Sequence, residues 1–170
     1  MGIQTRSALK TTNRDFNNIL DSAVFNQVKV LTAATDHVLT ADDAGCTVVF
    51  NAAGATTVKL PTPQLGMTFD FITTVTATAD HVIQAATDDH GFLGGVLIMN
   101  TTADQTNAFS AATDGNNDFI TLNGTTTGGI AGTALRCVAI LNESAAKCWA
   151  VSGTLIGSGN TITPFGDSQI

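Results

Sequence analysis

The chain has 170 residues, 44% of them apolar and only 12% charged, with a net charge of −7. Such a composition excludes a disordered chain, and no run approaches the roughly 18 apolar residues of a membrane span. With 28 Thr, no Tyr and one Glu (Glu143) among 14 acidic residues, it tilts toward strands, because Thr suits a pleated sheet and Glu a helix.

Residues 1–27 carry no strand pattern. Thr12 or Asn13 can cap a short helix that sets Phe16, Ile19 and Leu20 at helical spacing, a segment marginal in water without a surface to cover its apolar stripe. The opening MGIQTRSALK lacks the apolar core of a secretory signal. From Val28 onward short strands recur with turn signals between them. They are expected at Val28–Ala33, His37–Thr40, Cys46–Phe50, Thr56–Leu60, Met67–Val75 and His81–Ala85. Further strands follow at Phe92–Asn100, Asp118–Leu122, Ala134–Leu141, Ala146–Ser152 and Thr154–Ile156.

Within Leu39–Leu60, Asn51-Ala-Ala-Gly54 separates two β-branched runs and reads as the turn of a hairpin, which Pro61 and Pro63 close. Spacing near ten residues suits an antiparallel β-sandwich or barrel-like domain. Asp36-His37-Val38-Leu39 and Asp80-His81-Val82-Ile83 form a near-repeat, but no third copy follows, which argues against a solenoid. Met67, Phe69, Phe71 and Val75 should face the core, joined by Leu135, Val138, Ile140, Trp149 and Val151. The expected organisation is an extended N-terminal arm (1–27), a β-domain (28–157) and a tail (158–170) that turns strand-like near Pro164-Phe165.

Charge is unevenly spread. Residues 1–30 sum to +2 and residues 31–170 to −9, so the body should repel nucleic acid while the arm suits an acidic surface. Cys46, Cys137 and Cys148 lack CxxC spacing and read as reduced, buried thiols; Cys137 and Cys148 fall on consecutive strands and could be neighbours. His37, His81 and His90 lie near Asp36, Asp80, Asp88 and Asp89, yet the two Asp-His pairs point adjacent side chains to opposite faces, and no metal is expected. Asp114, Asn116 and Asp118 resemble the start of a calcium loop without its later bidentate acid. No GxSxG, HExxH or phosphate-loop lysine occurs, so no catalytic residue, enzyme activity or cofactor is expected. The loops at 113–118 and 123–132 are the polar segments open to partners.

Several stretches, in one order, resemble the capsid decoration (cement) proteins of tailed bacteriophages. They are GIQTRSALKTTNRDF, LTADDAGCTVVFNAAGATTVKLP, GMTFDFI, DHVIQ, FITLNGTTTGG and KCWAVSGTLIGSGNTITPF. The resemblance implies a small β-domain, commonly a homotrimer, added to the outer surface of a capsid assembled in the host cytoplasm. Its partner would be the major capsid protein, with no nucleic acid or membrane bound. On that reading Phe16, Ile19, Leu20 and Phe25 anchor the arm, while Arg6, Lys10 and Arg14 pair with acidic capsid side chains. The alternative is a fibre or receptor-binding module that recognises a host surface through its loops. The scarcity of exposed aromatics, with Trp149 the sole Trp, weighs against that alternative.

Overall fold

The computed structural model describes residues 27–102, 105–112 and 116–167. Among the described residues twelve strands form two sheets: β1 Val28–Leu31, β2 His37–Val38, β3 Thr47–Phe50, β4 Thr56–Lys59, β5 Thr68–Thr73 and β6 His81–Gln84 in the first half. The second half adds β7 Phe92–Asn100, β8 Thr106–Ser110, β9 Phe119–Leu122, β10 Ala134–Leu141, β11 Lys147–Gly157 and β12 Phe165–Gly166. One sheet runs β1-β3-β5-β10-β11-β7-β8 and the other β12-β9-β6-β4-β2. The fold is all-β.

Pairing is mixed, not antiparallel throughout. From β1 to β6 the chain visits the two sheets alternately, and each strand lies parallel to the one two steps earlier. Residues 28–84 thus wind as three coils of a two-sheet helix. This corrects two expectations: β3 and β4 belong to different sheets and make no hairpin, and the first half is solenoid-like. Asn51–Gly54 turns the chain, but across the core. A hairpin loop and a coil corner call for the same turn residues, so local chemistry does not separate them. Unequal steps (Val28 beside Thr47, Thr47 beside Asp70) blur any fixed period. The Asp-His near-repeat opens β2 and β6, two coils apart in one sheet. The register sets His37 beside Val58 and Val58 beside Ile83, so the repeat slips by one inward position.

Past the coils, antiparallel strands extend both sheets. β9 lies against β6 and β10 against β5, then β11 forms a long hairpin with β10 and runs parallel to β7. One core fills the space between the sheets. Phe50 stacks on Phe71 at 6.2 Å, and Phe69 meets Trp149 at 5.6 Å with a 58° tilt. Met67, Phe69, Phe71, Leu135, Trp149 and Val151 are buried as expected. Val75 lies beyond the end of β5, half out of the fold, because Thr73 takes the last inward position. On β10 the inward register is Leu135, Cys137 and Ala139, which turns Val138 and Ile140 to the other face. Cys137 faces Val151 and Cys148 faces Ile140, so these two cysteines are not opposed. The two strands expected at Ala146–Ser152 and Thr154–Ile156 are one continuous strand, β11, beginning at Lys147, and β8 was not expected at all.

Candidate functional site

The cysteines, His81 and Asp43 serve packing and pairing within the fold. All three cysteines are free and buried, and burial pushes each thiol above its ordinary value, which disfavours the reactive thiolate. His81 is fully buried with its ring 4.7 Å from Phe50 and nearly parallel to it. Neither ring nitrogen has a hydrogen-bond partner at ordinary length. Burial therefore pushes its imidazole below the usual value, against a weaker pull upward from the Ala52 backbone and Asp80. Asp43 accepts hydrogen bonds from the Thr40 N–H at 2.8 Å and from Lys29 Nζ at 2.6 Å, and Lys29 holds its carboxyl low. Asp88 and Asp89 sit in a 3-10 turn, lining a polar cleft of about 260 Å³ with Asn116, Asn142 and Cys148. Among the described residues no group of three or more His, Cys, Asp or Glu is placed to hold a metal.

The loop after β9 is tied to itself. Asn123 Oδ1 accepts the N–H groups of Thr125 and Thr126, both at 2.9 Å, and of Thr127 at 3.2 Å. Buried Thr133 Oγ1 accepts from Gly129 N–H at 3.1 Å and Ile156 N–H at 3.0 Å. Gly124, at φ +76°, comes so close to Ala77 that an added Cβ would lie 2.0 Å from its carbonyl oxygen. In segment 123–132 the Asn123 and Thr133 side chains thus hold the backbone in place from within.

The outer face of the seven-stranded sheet differs from the rest of the surface. Cross-strand neighbours place Val30, Val49, Ile72 and Ala134 in one row. Thr154, Leu97 and Ala108 continue it to the far edge. Val28 is 61% exposed, Val30 50% and Leu97 47%. The only charged side chains on the outward positions of these strands are Asp70 and Arg136, opposite one another with N and O 3.8 Å apart. Between β7 and the edge strand β8, Gly94, Gly95 and Gly153 leave a depression of about 460 Å³ bordered by Leu97, Ala108 and Ser110. Sequence reading missed this face, because its residues come from strands far apart in the chain and each looks like an ordinary outward position.

The sequence-expected arm residues Arg6, Lys10, Arg14, Phe16, Ile19, Leu20 and Phe25 lie outside the described residues, as does Asp114 of the possible calcium loop. Comparison with known protein families, curated proteins and solved structures finds no match to this chain.

Proposed function

We propose that the chain is a structural virion protein that binds the outside of an assembled phage capsid and stabilises it by bridging neighbouring subunits. The observation that carries the reading is a division of character. A leading segment of +2 precedes a β-body of −9 whose thiols and buried imidazole are locked into packing. A body without poised chemistry suits a mechanical role, and its acidity keeps it away from packaged DNA. Thr and Ala surfaces lose little side-chain entropy on contact. A protein that binds the assembled shell but not its dissociated subunits stabilises the shell by mass action. The leading segment provides the tether, with Arg6, Lys10 and Arg14 on capsid carboxylates and Phe16, Ile19, Leu20 and Phe25 in apolar pockets.

The test is a truncation lacking residues 1–25, mixed with particles stripped of the protein. The truncated chain should keep its β-sheet circular dichroism and lose particle binding that the full chain retains. Equal binding by the two would overturn the tether.

A further inference from the structure

We propose that two copies of this chain pair face to face through the outer surface of the seven-stranded sheet, about a twofold axis running between β5 and β10. The face is neutral in a body that is otherwise strongly acidic, so two bodies repel least when these faces meet. Its pattern is also self-complementary about that axis. Running along the strands, the axis sets β5 over the second copy's β10, β3 over its β11 and β1 over its β7. In one row Asp70 then meets the second copy's Arg136, and Val28 enters the depression at the second copy's Gly95. In the next row Ile72 covers the small Ala134, and Val30 meets Leu97. Opposite charges, a projecting valine over a glycine hollow, and large over small residues all follow from one operator, as an isologous interface requires.

Size makes the pairing a weak one. Six matched strands at about 4.8 Å spacing span about 29 Å, two rows of side chains cover about 13 Å along them, and Thr68 over the second copy's Val138 adds a third row at the centre. That covers on the order of 450 Å² per copy and about 900 Å² in total, the size of a weak, reversible pair.

The experiment is light scattering of the full chain over a concentration series reaching about 1 mM, the range of a weak pair, with charge reversals at the axis. Wild type should have twice the mass of the 17.5 kDa chain. Asp70→Arg and Arg136→Asp should each shift the mass to one copy without changing circular dichroism, since both side chains are solvent-accessible. The double variant, Asp70→Arg with Arg136→Asp, should restore the pair. Val38→Glu, on the other sheet, should leave it intact. A monomeric wild type, a trimer (the state the resemblance implies), or single reversals that stay paired would overturn the proposal. Should the reversals not fold, Val30→Glu on β1 and Leu97→Glu on β7, which meet across the axis, serve as the second set, and unchanged mass in both would overturn it. Particle binding is a separate readout: a monomer that decorates shells refutes only the pairing, and a dimer that ignores shells refutes only the capsid role.

Discussion

The buried imidazole of His81 makes stability depend on pH in a defined window. The side chain is fully buried against Phe50, and both ring nitrogens lack partners. Its folded pKa therefore lies below the unfolded value of 6.5. Well above pH 6.5 the ring is neutral in both states and titration contributes nothing. As pH falls below 6.5 the unfolded chain takes up the proton first, so stability is lost until the folded pKa is passed. The slope is at most about 1.4 kcal/mol per pH unit. For a chain of this size each kcal/mol so lost lowers the melting temperature by about 2–4 °C. His81→Leu, close in volume, should abolish this component. Removing the unpartnered nitrogens gains about 1–3 kcal/mol and losing the ring contact costs about 0.5–1.5, so the variant should be slightly more stable at pH 7.5. Urea titrations at pH 5.0, 6.0 and 7.5, read by the emission of buried Trp149, measure the difference directly. Parallel loss of stability in wild type and variant would refute the reasoning. Asp43, held low by Lys29, acts in a separate range below about pH 4 and does not confuse the comparison.

Other outcomes follow from the same contacts. Gly124→Ala forces a side chain into a left-handed backbone position and against the Ala77 carbonyl, and should cost about 2 kcal/mol or more in a denaturant titration. Thr133→Val leaves the Gly129 and Ile156 N–H groups without their acceptor, costing about 1–3 kcal/mol for each that stays buried. The three thiols should react slowly with a thiol reagent in the native protein and at once in denaturant, the ratio reporting their burial.

Strand existence was legible wherever inward residues alternate. Phe92–Asn100 and Ala134–Leu141 are occupied to the residue, since both have long β-rich runs with clear turn signals at their ends. β8 escaped because Thr106–Ser110 is an edge strand with no fully buried side chain, its one large apolar residue, Phe109, being half-covered. β11 seemed broken at Gly153, yet the glycine is there because a Cβ would lie 2.3 Å from the Ala134 carbonyl. Topology was hidden for a different reason. Parallel coils and antiparallel hairpins impose the same inward alternation on each strand, and they differ only in which strands become neighbours. The outer sheet face was illegible for the same reason, because Asp70 and Arg136 become partners only through the β5–β10 pairing.

The capsid role meets its most direct test in cryo-electron microscopy of purified particles from cells producing the full chain, with copies counted per particle. Regularly spaced density is expected on the outer shell, at hundreds of copies, each with a leading segment reaching onto a capsid subunit. Particles with bare exteriors, or a few copies confined to the tail, would contradict it.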